Sequence, residues 1–336
     1  MKAPRPLPLF LELVREVAGD DPALARDALA GLRAYQAANR GSSAPEKPEF
    51  FRLGPVSVRD YGGDGPPALL IPSLINPPRI LDLDDDVSLA LAVARMNRRA
   101  LLLDWGDAAS RNLSVSGHIE ELLVPAVRSM GEPVALIGYC LGGTMATAAA
   151  NLVDVERVVT LAAPWHFSHY PEASLTALHD MWRAAEPAAR TLAALPMEVL
   201  QAAFWSLDPT RTVRKFAGFG KLDPASPEAH RFVELEDWAN EGEPLPYPAA
   251  RELIEDLFGR DVPGKGEWSV GGRVVRDKLP VPMLNLTADE DRIAPAATAP
   301  AGNRIGIASG HVGMIVGSAR TKVHEALRGF LDPACR

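Results

Sequence analysis

Gly138-Tyr139-Cys140-Leu141-Gly142-Gly143 is the stretch whose reading decides the fold. It has the G-x-nucleophile-x-G form of a strand-to-helix elbow, in which a reactive side chain is lifted out of a sharp turn. The context fits. Pro133–Gly138 reads as a buried strand running straight into the motif, and a helix-forming, Ala-rich stretch comes directly after it. Small residues on either side of Cys140 allow the turn and let strand and helix approach closely. A cysteine there stands at a helix N-terminus, where N–H groups and the macrodipole favour a thiolate. The N–H of Leu141 is then the natural first donor to an oxyanion. A buried structural cysteine in a Gly-rich turn would use the same six residues, so the assignment rests on the surrounding chain.

Outward from the elbow, strands alternate with helices. Val56–Tyr61 alternates like an outer strand, and Ala68-Leu69-Leu70-Ile71 is a continuous apolar run suited to a buried parallel strand. Residues 85–98 (DDVSLALAVARMNR) begin acidic and end basic, as a dipole-matched helix should. Ala100–Leu103 reads as the next strand, Ser116–Met130 as a helix and Arg157–Ala162 as a further strand. The pattern breaks after Pro164 and resumes with strands Val281–Leu286 and Arg304–Ala308 and a closing helix, Ala319–Leu331. An α/β chain with a doubly wound, mostly parallel sheet is expected. Its divisions are a helical arm and linker at 1–50, a first core part at 51–164, a cap insertion at 165–275 and a second core part at 276–336. Within the arm, Asp21-Pro22 caps a helix with Leu24, Ala28, Leu32 and Tyr35 on one face, and Gly41–Pro45 reads as its linker. Within the insertion, Gly271-Gly272 marks a hairpin turn.

Composition narrows the function. Apolar residues make up 47% of the 336, enough for a large core. The balance of 35 Lys+Arg against 43 Asp+Glu, a net charge of −8, argues against a general nucleic-acid binder. Two cysteines, Cys140 and Cys335, cannot make a disulfide framework. The apolar runs are strand-length, the first residues carry no signal-peptide pattern, and a soluble cytoplasmic protein is the expectation. No metal-ligand spacing or phosphate loop is visible, so no cofactor or metal is expected. Arg211, Arg214, Lys215 and Lys221 form a basic cluster that either meets a substrate's phosphates or is a solvated helix face, the latter being the commoner case.

In this architecture the acid and base come after the nucleophile along the chain. Strand Val281–Leu286 leads into Thr287-Ala288-Asp289-Glu290-Asp291-Arg292-Ile293-Ala294-Pro295, and strand Arg304–Ala308 leads into Ser309-Gly310-His311-Val312-Gly313. Of seven histidines only His311 and His324 lie beyond the acid loop, and His324 falls within the closing helix. His311 is therefore the candidate base, the alternative being a loop histidine with a purely structural hydrogen bond. Asp289, Glu290 and Asp291 are the candidate acids, though Asp289 and Glu290 could instead be N-terminal charges of a helix; the preference for Asp291 comes partly from the family resemblance that follows. His166 and His169 either face the site or serve a surface role.

Taken together, these residues resemble the polyhydroxyalkanoate synthases, most closely the short, two-subunit type. The segment Pro72-Ser73-Leu74-Ile75-Asn76, the strand end Leu103-Asp104-Trp105-Gly106, the cysteine box GYCLGGT at 138–144, the acid loop from Asp291 and the histidine loop around His311 fall in the family's order. Glu236-Asp237-Trp238 and Val270-Gly271-Gly272-Arg273 look like its cap segments, so the resemblance spans about residues 51 to 331. It implies an α/β-hydrolase-fold acyltransferase in which Cys140 takes the acyl group of an (R)-3-hydroxyacyl-coenzyme A. His311 would be the base, Asp291 its orienting acid, and Leu141 and Leu74 oxyanion or substrate-binding positions. It also implies a coenzyme A thioester as substrate rather than a cofactor, a helical partner subunit, homo-oligomers and a polymer-granule surface. Three departures stand out: Arg292 where the family often has histidine, His166 where an acid is expected, and an acid-to-base interval of only 20 residues, which implies a trimmed connecting helix. GYCLGG also resembles the elbow of dienelactone hydrolases. A cysteine hydrolase of esters, lactones or thioesters and a non-catalytic synthase relative therefore remain as alternatives.

Overall fold

The computed structural model describes residues 2–40 and 46–332. The expected linker at Gly41–Pro45 and the tail cysteine Cys335 lie outside the described residues.

An eight-stranded sheet organises the chain. Its strands are β1 (Glu49–Leu53), β2 (Val56–Asp60), β3 (Pro67–Ile71), β4 (Arg99–Asp104), β5 (Val134–Tyr139), β6 (Val155–Leu161), β7 (Met283–Ala288) and β8 (Asn303–Ile307), in spatial order 1-2-4-3-5-6-7-8. Only the β1–β2 and β2–β4 pairs are antiparallel. All five residues of β3 and all six of β5 are buried, as continuous apolar runs covered on both faces must be. The strand order reverses between β4 and β5, and Gly138 of β5 pairs with Ile71 of β3. The elbow therefore leaves the sheet at the topological switch point, where α/β folds place their sites.

Local expectations hold with two instructive differences. The helix expected over 85–98 is confined to Leu89–Ala94, because Ser88 caps it through Leu91 N. The acids before it make an Asx turn instead: Asp84 Oδ1 accepts from the N–H groups of Asp86 and Val87. The helix expected over 116–130 is built of α-helical ends around a π-helical middle, His118–Leu123. The hairpin does form, Ser269–Val270 pairing with Arg273–Val274 across Gly271 and Gly272 at φ +57° and +74°. The trimmed connection between β7 and β8 holds a single 3-10 turn, Ala296–Thr298.

The chain divides into two compact units that do not coincide with the divisions expected at 50, 164 and 275. One comprises the sheet with Glu46–Leu195 and the chain from Glu243 onward. The other joins the N-terminal arm to Pro196–Gly242. Its centre is aromatic, with Phe10 and Phe216 at 4.7 Å and Phe219 stacked on Phe232 at 4.2 Å. Asp237, almost fully buried, accepts from Tyr35 Oη at 2.5 Å, Arg40 Nε at 2.7 Å and Lys2 Nζ at 3.1 Å, tying the arm to the helix Pro227–Asn240. In this unit the basic cluster is largely neutralised: Lys215 pairs with Glu236 at 2.6 Å and Lys221 with Asp27 at 2.8 Å, leaving Arg211 and Arg214 on the surface. Among the described residues no helix is long and apolar enough to cross a membrane.

Candidate active site

Close packing shapes the elbow. A Cβ on Gly138 would lie 2.3 Å from the Cα of Gly143, and one on Gly142 would lie 2.2 Å from the carbonyl oxygen of Ile71. Neither position has room for any side chain, so the glycines flanking Cys140 are a requirement of the β3–β5–helix junction. Cys140 itself sits at φ +55°, ψ −132°, a strained conformation for a residue with a Cβ. Its N–H donates to Leu161 O at 2.9 Å and its carbonyl accepts from Gly143 N at 2.9 Å, which together lock that strain in place. The helix Leu141–Ala149 starts immediately behind it.

The structure brings His311 and Asp291 to this turn. Asp291 is buried; its Oδ2 meets His311 Nδ1 at 2.6 Å, and its Oδ1 accepts from the N–H groups of Ile293 at 2.7 Å and Ala294 at 2.9 Å. The alternatives Asp289 and Glu290 are exposed. Burial works against a charged imidazole, but the charge of Cys140 and the ring's hydrogen bonds to Asp291 and to Cys140, together with the charge of Asp291, outweigh it, and the His311 pKa is pushed up to about 10. With Nδ1–H committed to Asp291, Nε2 is left for Cys140. Such an arrangement could serve as nucleophile, base and orienting acid.

Leu141 and Leu74, the two further positions expected at the site, are both buried. Leu141 opens the helix and Leu74 lies just beyond β3, and neither backbone N–H donates to an acceptor among the described residues. The segment leading to Leu74 is anchored by Trp105, whose Nε1 donates to Pro72 O at 3.1 Å. Trp105 in turn rests edge-on against His118, 5.8 Å between centroids. Burial drives the His118 pKa down to about 4, so this ring is neutral; Nδ1 donates to Ser114 O at 2.7 Å and Nε2 accepts from Arg111 at 3.1 Å. The buried histidine thus supports the loop rather than reacting.

The sequence assigns no catalytic role to Tyr139, His166 or His169. Tyr139 packs its ring on His311, 5.0 Å between centroids, and donates to His311 O at 3.3 Å. Burial and the charges of Cys140 and Asp291 keep its phenol well above the ordinary range, hence protonated. Only its place inside the elbow could have flagged it. His166 and His169 stack on each other at 5.4 Å; the first pairs with Asp277 at 3.1 Å and the second contacts Ala297 O at 3.0 Å. His169 thereby contacts the connection between β7 and β8. Two open clefts, of about 270 and 240 Å³, include none of Cys140, Asp291 and His311; at the larger, Arg251 pairs with Glu255 and Arg260 with Asp256.

No family model matches the chain. The chain is similar to the poly(3-hydroxyalkanoate) polymerase subunit PhaC of Haloarcula marismortui, 24% identical over 79% of this chain and 60% of the relative. It is also similar to the PhaC subunits of Synechocystis sp., 26% identical over 79% of this chain and 77% of the relative, and of Allochromatium vinosum, 26% over 79% and 80%. The chain thus spans less than two thirds of the first relative's length and about four fifths of the last. Among solved structures it resembles a hydrolase from Pseudomonas aeruginosa (TM-score 0.54, 15% identity, 82% of this chain and 94% of that one) and an esterase from Thermogutta terrifontis (TM-score 0.51, 14% identity, 88% and 100%). The fold is that of the α/β hydrolases, and the resemblance read from separate motifs extends across most of the chain.

Proposed function

We propose that this relative of the poly(3-hydroxyalkanoate) polymerase subunits is itself a cysteine acyltransferase, which polymerises (R)-3-hydroxyacyl groups delivered as coenzyme A thioesters. The observation that carries the reading is the Cys140–His311–Asp291 constellation at the elbow of a chain similar to those polymerases over 79% of its length. Cys140 Sγ attacks the thioester carbonyl, its proton held by His311, and the N–H groups of Leu141 and Leu74 receive the oxyanion. Collapse breaks the C–S bond to coenzyme A, and His311 returns the proton to the departing thiol. Exchanging one thioester for another is nearly isoenergetic, so the acyl group keeps its transfer potential on Cys140. A hydroxyl, from the growing chain or a second monomer, then gives its proton to His311 and attacks the acyl carbon. An ester forms and Cys140 is regenerated. Asp291 keeps the imidazole in the required tautomer through both steps.

A helical partner subunit, self-association and residence at polymer granules in the cytoplasm belong to the same reading and rest on the family resemblance alone. Incubation with 3-hydroxybutyryl-coenzyme A, tracking free thiol and insoluble polymer together, tests it. Thiol release matched by ester-linked product supports polymerisation. Thiol release matched by free 3-hydroxy acid, with and without candidate partners, identifies a thioester hydrolase. Inertness to the thioester with rapid opening of an unsaturated lactone assigns the dienelactone chemistry.

A further inference from the structure

We infer that Tyr170 is a positioning residue for the acid of the triad, acting through the single peptide unit between Ile293 and Ala294. This rests on the reading of Cys140, His311 and Asp291 as a catalytic triad. Tyr170 Oη donates to the carbonyl oxygen of Ile293 at 2.8 Å, and the N–H of the same peptide unit, that of Ala294, donates to Asp291 Oδ1 at 2.9 Å. One peptide plane is therefore gripped at both ends, by the phenol on one side and the carboxylate on the other. Its orientation sets where Asp291 Oδ2 meets His311.

The phenol is well fixed for this task. Its ring is nearly parallel to Phe167, 6.1 Å away at 20°, and lies 5.0 Å from Phe258, while Phe167 and Phe258 meet edge to face at 4.8 Å. Phe167 N–H is held by Asp261 Oδ1 at 2.8 Å, and Asp261 is buried at a left-handed φ of +52°. The segment carrying Tyr170 is bonded again to the same loop five residues further on: the N–H groups of Trp165 and His166 both donate to Thr298 O, at 2.7 and 2.9 Å. The stretch 165–170 thus clasps the acid loop at Ile293 and at Thr298. Tyr170 lies close enough to the reacting groups that the charges of Cys140 and Asp291, added to burial, hold its phenol well above the ordinary range. It stays a donor at every working pH.

The test reads His311 directly in the full-length chain. The groups facing its ring are Cys140, Asp291 and the ring of Tyr139. With histidine labelled and the His311 signal assigned by its loss in His311→Gln, the wild-type ring should titrate near pH 10. Tyr170→Phe keeps the ring and removes only the donor. It should lower that titration by roughly half to one pH unit and reduce kcat about three- to tenfold at nearly constant KM. A titration that is unchanged or raised, with only a lower melting temperature, overturns the inference. Should Tyr170→Phe not fold, Phe258→Leu loosens the ring's seat while keeping the hydroxyl; a smaller downward shift is expected, and no shift overturns the inference. The titration needs no substrate. A chain inert to acyl thioesters that still shows the shift refutes the acyltransferase reading and leaves the role of Tyr170 standing, whereas normal polymerisation without the shift refutes only Tyr170.

Discussion

Asp291→Asn exchanges one oxygen for an NH₂ group, and the surroundings of the carboxylate set the consequence. Oδ1 accepts from two backbone donors, Ile293 N and Ala294 N, and Oδ2 meets His311 Nδ1 at 2.6 Å in a fully buried setting. An asparagine has a single acceptor oxygen. If that oxygen stays with the two backbone N–H groups, its NH₂ faces His311 and Nδ1 must become an acceptor. The ring proton then moves to Nε2, and the nitrogen that should take the proton of Cys140 can no longer do so. If the side chain flips, the tautomer survives, but two buried donors face an NH₂ at about 1–3 kcal/mol each. Either route costs about 3–5 kcal/mol in the transition state, or roughly 10²–10⁴ in kcat. The assay is initial coenzyme A release from 3-hydroxybutyryl-coenzyme A at saturating substrate, with Asp289→Asn as the comparison. Asp289 is exposed, and its variant should stay within about twofold of wild type. A silent Asp291→Asn beside a crippled Asp289→Asn would refute the reasoning and move the acid by two residues.

Three further outcomes are expected. Gly142→Ala places a methyl 2.2 Å from Ile71 O and 2.6 Å from Pro72 O, so β3 and the elbow must separate; a loss of about 1–3 kcal/mol of stability and a larger fractional loss of activity are expected by denaturation and turnover, and wild-type values for both would contradict the packing account. Arg98, wholly buried, caps the last helix at Leu331 O at 2.9 Å and pairs with Glu156, so Arg98→Ala should cost about 3–5 kcal/mol in urea unfolding with kcat per folded molecule unchanged. The pKa of His311 is raised from 6.5 to about 10; the stability it contributes is therefore complete below about pH 6.5 and lost as pH rises through about 10. The melting-temperature gap between wild type and His311→Gln should narrow over that window, and a gap independent of pH would contradict the assignment.

The features legible in the sequence are those set by local constraint. Gly138 is demanded by contacts within the turn itself, whereas Gly142, recognisable as part of the motif, is demanded by Ile71 O and Pro72 O at the end of β3; buried strands such as Ala68–Ile71 announce themselves as unbroken apolar runs. The acid loop is legible as a loop, but spacing alone does not choose among Asp289, Glu290 and Asp291; the choice lies in which carboxylate turns inward to His311. Tyr170 is invisible in the sequence because its partner, Ile293, is 123 residues away and contributes only a carbonyl oxygen, which every residue has. The helix expected over 85–98 starts later than its acids suggest because Asp84 binds its own neighbours' N–H groups, a use of acids that competes with a helix start. The arm's association with Pro196–Gly242 depends on Phe10 and Tyr35 meeting Phe216 roughly 200 residues along the chain, which no local pattern records.

The central claim is that Cys140 carries the acyl group, and trapping that group tests it most directly. Rapid mixing with 3-hydroxybutyryl-coenzyme A, acid quenching and peptide mass analysis should find a hydroxybutyryl adduct on the peptide containing Cys140. It should form at the rate of the first coenzyme A release and be absent from Cys140→Ala, which should fold normally because the elbow tolerates a small side chain. Coenzyme A release by Cys140→Ala at the wild-type rate, or an adduct on any other residue, would contradict the account.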